Sequence, residues 1–393
     1  MTYLHSLEVQ DFRSLKSVRV SLGRLNVLVG PNGAGKSNLL EVIQFLGDTV
    51  RTDLVPAIMA HGGLDRLAFR GGGEERKTIR IKVTAEVTKY ASPSAKDEYS
   101  LSFSRAGRIR TFITRYESFK FKRTRGRGRR ITIRGRTYRV EDEAVPTRKA
   151  TLNKESSGLS TLRRLGDMEG APQVGELANL FETFRVFNVD VAKARRSSPL
   201  PGSAALESNA SNLAGFLTYL VTEHASVFGL LQEDLCHIVP GVLGIELSLA
   251  RKETNRVSVE LREKAFDDPT HLSEASFGTV RALALLAMLH DPHPPKLTCV
   301  EEIDHGLHPY ALDRIVERLR EASRRTQFVI ATHSPALVNR LKASELIVCE
   351  RNPNTGASRI PAIDPNEVRR MEAASSDVRL GELWFSGALG GVP

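Results

Sequence analysis

The sequence predicts an α/β fold: a mixed or parallel sheet flanked by helices, carrying an inserted β-meander and a helical lobe. Three observations predict it. The buried-type apolar run Leu25 to Val29 leads into GPNGAGKS, Gly30 to Ser37, and then into a helix with Leu39, Leu40, Ile43 and Leu46 on one face. From Ser276 onward, helix and strand alternate over Gly278 to His290, Leu297 to Val300, Tyr310 to Arg324 and Gln327 to Ala331, the order of a parallel sheet covered by helices. Between these ends, Ile79, Ile81, Val83, Ala85 and Val87 alternate with polar residues at the period of a half-buried strand.

The remaining elements follow in order. Short strands at Tyr3 to Val9 and Ser17 to Leu22 flank a turn at Phe12 to Leu15, and a stretch containing Gly62, Gly63, Gly71, Gly72 and Gly73 precedes the alternating strand. Strands continue from Leu101 to Val140. Glu141 to Leu235 reads as mostly helical, interrupted at Ser197 to Ser203, and Ile245 to Glu263 reads as a strand pair. The organisation expected is a core in two parts, 1–90 and 241–393, with a basic β insert at 91–140 and a helical lobe at 141–240.

Composition bounds the function class. Of 393 residues, 41% are hydrophobic and 26% charged, ordinary globular values. The opening MTYLHSLEVQDF has no leader pattern, and the longest apolar stretch, Ala282 to Leu289, is far short of a membrane span, so a cytoplasmic protein without a membrane partner is expected. Cys236, Cys299 and Cys349 are widely separated and read as packing residues. The net charge of +10 is concentrated: between Arg105 and Arg139 there are fourteen Lys or Arg against one acid, Glu117, which leaves the rest of the chain slightly acidic.

GPNGAGKS fits the phosphate-loop pattern in the strand-loop-helix context that the pattern requires. Its glycines, Gly30, Gly33 and Gly35, let successive backbone N–H groups turn inward onto phosphate oxygens at a helix N-terminus. Asn32, Gly33, Ala34, Gly35, Lys36, Ser37 and Asn38 are therefore candidates for binding ATP, with Lys36 on the β and γ phosphates and Ser37 on magnesium. The strand LTCVEEIDHGLHP ends in two carboxylates. Successive strand residues point to opposite sides, so Glu301 is assigned to magnesium and Glu302 to the attacking water. QFVIATHSP brings His333 to a third strand end, and ligands of parallel sheets collect beyond such ends.

These residues resemble the ABC-type ATPases of the SMC, RecF and OLD group. The motifs occur in family order: QDFRSL at Gln10 to Leu15, the phosphate loop, SFGTVRALALLAML at Ser276 to Leu289, VEEIDHGLHP and ATHSP. The resemblance implies ATP sandwiched between two copies of the chain, with Ser276 and Gly278 as the signature that meets the opposite copy's γ-phosphate. It implies Arg13 and Ser14 near the nucleotide and His333 as the switch histidine. Glu301 stands where aspartate is usual, Phe277 fills the middle of the signature, and Gln44 is expected at the surface rather than in the third position of the magnesium shell. The ending LGELWFSGALGG, Leu380 to Gly391, resembles the tails of compact stand-alone members encoded with a partner protein.

The basic stretch has three readings. RTRGRGRR carries Arg123, Arg125, Arg127, Arg129 and Arg130 on a hairpin tip, suited to a nucleic-acid backbone; a charged edge protecting the sheet, or a site for an acidic protein, explains the same residues. His305, His308 and Asp304 are placed in the loop after the acid pair rather than at a metal, and His290 and His293 are expected to face solvent. After His333 no DxD pair follows for a metal-dependent nuclease, so chemistry on a target is assigned to a separate effector such as a nuclease or toxin. The expected function is a nucleic-acid-responsive, ATP-dimerised ATPase in defence against phage or plasmids or in DNA repair. The alternative is an ATP-dependent scaffold that holds and releases a toxin or nuclease with little turnover.

Overall fold

The computed structural model describes residues 3–71, 78–105, 113–124, 126, 128–142, 145–153, 156–163, 171–249, 255–374 and 378–390, with only the backbone at 145–150. The chain forms two compact units, one of residues 1–184, 343–378 and 383–393 and the other of residues 185–342 and 379–382.

The first unit opens with β1 (Tyr3–Phe12), β2 (Leu15–Ser21), β3 (Leu25–Val29), α1 (Lys36–Arg51), α2 (Leu54–Ala60) and α3 (Leu64–Leu67). It continues through β4 (Ile79–Glu86), β5 (Asp97–Arg105), β6 (Ile113–Phe121), β7 (Arg129–Arg134), β8 (Thr137–Asp142) and β9 (Val145–Thr151) to α4 (Gly158–Leu162) and α5 (Ala171–Glu182). Eight of these strands make one antiparallel sheet in the order β2-β1-β4-β5-β6-β7-β8-β9. The strands read as an insert thus extend the sheet that β1, β2 and β4 begin. Strand structure also runs on through Thr151, where the sequence reads as helical; a short turn at 135–136 returns β8 onto β7, and β9 pairs antiparallel with β8. Alternation places Ile79, Ile81, Val83, Tyr99, Leu101, Phe103, Phe119, Ile131 and Ile133 on the buried face, against which α1 and its neighbours α2, α4 and α5 supply the covering layer.

The second unit contains β10 (Arg185–Phe187), α6 (Val191–Ala194), β11 (Ser198–Pro199), α7 (Leu213–Glu223), α8 (Ala225–Ile238), β12 (Val242–Leu249), β13 (Arg256–Glu263), β14 (Thr270–His271), α9 (Phe277–Leu289), β15 (Leu297–Glu301), α10 (Pro309–Ala322), β16 (Gln327–Thr332) and α11 (Pro335–Val338). β15 pairs in parallel with β10 and with β16, as the helix-strand alternation predicts. β12 and β13 are antiparallel partners. α9 is apolar on every side and buried from Val280 to Leu289. The chain then returns to the first unit through β17 (Leu346–Val348), which pairs in parallel with β3, and through β18 (Glu350–Arg351), β19 (Ser358–Arg359) and α12 (Pro365–Ala374). Among the described residues no helix is long and apolar enough to cross a membrane.

One polar placement differs from the sequence expectation. His290 is buried rather than solvent-facing, with Nε2 2.6 Å from Asp234 Oδ2. Burial alone would raise the Asp234 pKa, but His290, Arg318 and Arg314 outweigh it and hold the carboxyl at about 2. His293 is exposed as expected. Glu117, the one acid of the basic stretch, is fully buried with Arg115, which donates to it at 2.9 Å and to Gly135 O at 2.7 Å. Tyr99 Oη and Gly158 N complete its hydrogen bonds at 3.0 and 2.7 Å, so the Arg115–Glu117 pair joins β5, β6 and the turn at 135–136 to the start of α4.

Removing one partner of such a pair strands a buried charge. Arg115→Met is expected to cost about 3–5 kcal/mol in urea unfolding, and Arg115→Met with Glu117→Leu to recover most of that loss. A single variant as stable as the parent would contradict the coupling.

Candidate nucleotide site

The first unit carries the phosphate loop. β3 is buried along its whole length beside β17, and Cys349 N donates to Val29 O at 2.7 Å, fixing the strand end from which the loop leaves. Gly35 is left-handed, with φ 103°, and a Cβ there would lie 2.1 Å from Ser358 Oγ. Only glycine fits. Asn32, Gly33 and Ser37 are exposed, Ala34 and Gly35 are buried, and Lys36 and Asn38 are half-buried. The loop thus presents its open side with α1 starting at Lys36, the geometry of an anion site. The Lys36 ammonium donates to Gly30 O at 2.5 Å and Pro31 O at 3.0 Å.

Arg13 and Ser14 reach this loop from the turn between β1 and β2. Ser14 Oγ accepts from Asn38 Nδ2 at 2.6 Å and is 2.6 Å from Ser358 Oγ, while Ser358 N donates to Ser14 O at 2.8 Å. Arg13 has φ 49°, its N–H donates to Leu67 O at 2.6 Å, and its guanidinium pairs with Glu41 of α1. Glu41 also lies 3.0 Å from His61 Nδ1, whose Nε2 is 2.9 Å from Asp48. Burial would lower the His61 pKa, but hydrogen bonds and charge from Asp48 and Glu41 prevail and raise it to about 9. The chain Arg13, Glu41, His61 and Asp48 was not foreseen; Glu41 and His61 lie in different elements, twenty residues apart, with no motif to mark them. Gln44 is exposed, as expected.

The second unit carries the acid pair, the signature and His333. β15 ends at Glu301. Glu302 stands beyond the strand with φ 47°, its N–H bonded to Ala331 O at 2.8 Å, so the chain turns out of the sheet at this residue instead of alternating through it. The Glu302 carboxylate is half-exposed, 3.2 Å from His305 Nδ1 and 4.0 Å from His333 Nδ1. Asp304 accepts from Thr332 Oγ1 at 2.6 Å, and His308 caps α10. Ser276 caps α9, accepting from Thr279 N at 3.1 Å, and a Cβ on Gly278 would lie 2.5 Å from Gly306 O. The Phe277 ring sits 5.5 Å from that of His305. Ser276 and Thr279 also line an open cavity of about 710 Å³ that bears Glu263, Asp267, Asp268 and Glu274.

One residue ties these parts together. Arg281, buried in apolar α9, donates through Nη2 to Glu302 O at 2.6 Å and Glu301 O at 3.3 Å. Burial lowers its pKa, opposed by Glu302 and Asp304. A single cation inside ALALLAML-type sequence was the signal that could have found it.

The basic hairpin is partly committed. Arg123 and Arg129 both pair with the buried carboxylate of Asp142, Arg129 Nε at 2.8 Å, and Arg129 Nη1 donates to Gln173 at 2.8 Å. Arg130 is exposed. Arg125 and Arg127 lie outside the described residues, as do Gly72 and Gly73.

The family described as "AAA domain, putative AbiEii toxin, Type IV TA system" matches residues 25–339. Curated relatives named DNA replication and repair protein RecF are 42% identical over 85 residues in Anaeromyxobacter sp. (strain Fw109-5) and 57% identical over 88 residues in Anaeromyxobacter dehalogenans (strain 2CP-C). Those matches cover 20% and 21% of this chain and 23% of each relative, so the chain spans under a quarter of their length. Among solved structures, an Smc head bound to the C-winged helix domain of ScpA aligns with TM-score 0.56 at 17% identity, over 95% of this chain and 99% of that one. A Pyrococcus furiosus Smc head with an extended coiled coil, bound to the C-terminal domain of ScpA, aligns with TM-score 0.55 at 16% identity, over 96% and 100%. These two likenesses concern the fold, an ABC-type ATPase head.

The raised His61 pKa predicts a pH dependence. Protonated His61 stabilises the fold fully below the ordinary value near 6.5, and that stability is lost as pH rises through about 9. Thermal melts of the parent should therefore fall more steeply between about pH 6.5 and 9 than those of His61→Gln. Parallel curves would contradict the charged His61.

Proposed function

The chain belongs to the AAA-domain family that matches residues 25–339, and from that premise we propose that it hydrolyses ATP as a homodimer, each phosphate loop facing the partner copy's signature. Two separate observations support the reading: a glycine-dependent phosphate loop in the first unit and, in the second, a half-exposed glutamate held at a strand end. Backbone N–H groups from Asn32 to Ser37 and the Lys36 ammonium bind the phosphates. Arg13 and Ser14 act beside them, on the nucleotide of the same copy. Ser37 and Glu301 are the residues that would hold magnesium, which when bound neutralises phosphate charge. Glu302 orients the attacking water and accepts its proton. His333, within reach of the Glu302 carboxylate, holds that group and the γ-phosphate in register. Ser276 and Gly278 meet the γ-phosphate of the opposite copy.

The ATP-bound dimer responds to nucleic acid in this reading and works with a separate nuclease or toxin in phage or plasmid defence or in DNA repair. The concentrated positive charge and the relatives named for DNA replication and repair support the nucleic-acid part. Smc heads bound to ScpA support a protein partner. The family description, which names a toxin system, favours the second reading of a scaffold that releases a toxin with little turnover. Turnover stimulated by nucleic acid separates the two.

Lys36→Ala is expected to abolish binding of a fluorescent ATP analogue. Glu302→Gln should keep binding, lose about 100-fold or more in turnover, and accumulate the ATP dimer in light scattering. Glu302→Gln turning over at the parent rate would remove Glu302 as the base.

A further inference from the structure

Arg123 and Arg129 of the hairpin are paired with Asp142, and the register of the eight-stranded sheet shows a second place where positive charge gathers. Gln10, Arg80, Ser102, Tyr116, Arg134 and Thr137 are successive cross-strand partners on β1, β4, β5, β6, β7 and β8. Their alternate neighbours point inward and form the core, so all six side chains stand on the opposite, solvent face. Ser102 is half-buried and the rest are exposed, Tyr116 by 41%. At about 4.8 Å per strand the row is roughly 24 Å long.

Two features separate this row from a generally charged surface. It contains no acid, whereas in the rows alongside it the acids are matched by lysines: Lys82 lies 3.8 Å from Glu8 and 3.6 Å from Glu98, and Lys120 2.9 Å from Glu98. Arg80 donates to the neutral Gln10 at 3.0 Å, and among the described residues neither Arg80 nor Arg134 has an ion pair. The other members are hydroxyl and amide groups, which together with arginine are the side chains that contact phosphates and sugars. A protein interface of this size would instead centre on buried apolar anchors, and Tyr116 alone could serve as one.

We propose that this row is a binding surface for the phosphodiester backbone of a nucleic acid, with Arg80 and Arg134 on phosphates and Tyr116 between them. The proposal rests on the reading that the ATPase responds to nucleic acid, and it places the contact on the sheet face instead of the hairpin tip.

The test uses the full chain and a labelled DNA duplex and its separate single strand, read by fluorescence anisotropy over a range of salt. Arg80→Gln with Arg134→Gln should weaken binding about tenfold or more and flatten the slope of log affinity against log salt by about 1.8 on duplex or about 1.4 on single strand. Tyr116→Ala distinguishes the two polymers: a further loss of about fivefold on single strand alone marks base stacking, and an equal loss on both marks a phosphate contact. Arg123→Gln with Arg129→Gln should leave the slope unchanged while lowering the melting temperature. An unchanged slope in the Arg80/Arg134 variant, a loss carried entirely by the hairpin variant, or a parent protein that binds acidic proteins but no nucleic acid would each overturn the proposal. ATP-analogue binding on the same preparations judges the ATPase reading separately, since the row can bind DNA whether or not ATP is turned over.

Discussion

A left-handed glutamate at the end of a strand is the constraint on which the acid pair of the second unit depends. Glu302 adopts φ 47°, a conformation that costs a non-glycine residue on the order of 1–2 kcal/mol. It is held there by Ala331 O on one side and by the Arg281 guanidinium, which grips the carbonyls of Glu301 and Glu302 from below. Burying that arginine in an apolar helix is costly unless its donors are satisfied, and the two carbonyls satisfy one end of it. The consequence is mechanical. Ser276, which caps α9, Gly278, which lies against Gly306, and Arg281, which holds the acid pair, sit on one short stretch of helix, so signature and acids are positioned together.

The first unit applies the same economy to the phosphate loop. Ser14, Asn38 and Ser358 come from a turn, a helix start and a C-terminal strand, and a short set of hydrogen bonds joins them at the spot where Gly35 leaves no room for a side chain. Arg13 is held through Glu41 to a protonated His61, which makes the setting of that arginine a matter of charge rather than of packing. Each unit therefore builds its part of the chemistry from residues distant in sequence, and the motif residues are only the visible portion.

Sequence reasoning was good where chemistry demands a fixed local pattern. The strand before the phosphate loop, the helix after it and the strands β15 and β16 form where their residue patterns imply, because strand, tight turn and helix start are local events. It failed where long-range pairing decides. Val145–Thr151 has no strong strand pattern and forms a strand because β8 offers it an open edge. His290, at the end of α9, is drawn inside by Asp234, fifty-six positions away. Glu302 does not continue the strand alternation that assigned its role, since the chain turns at that residue. The arginines of RTRGRGRR looked alike in sequence, yet two of them are claimed by Asp142, a partner that only the closing of β8 beside β7 brings within reach.

If one copy's phosphate loop is completed by the other copy's signature, mixing two inactive variants restores activity. Lys36→Ala disables the loop of its own copy, and Ser276→Arg blocks the signature offered to the other, so each protein alone should be inactive. Mixed in equal amounts, half the dimers would pair one copy of each and hold one intact site of two, restoring about a quarter of the parent ATPase rate. A mixture no more active than its separate components would contradict the account.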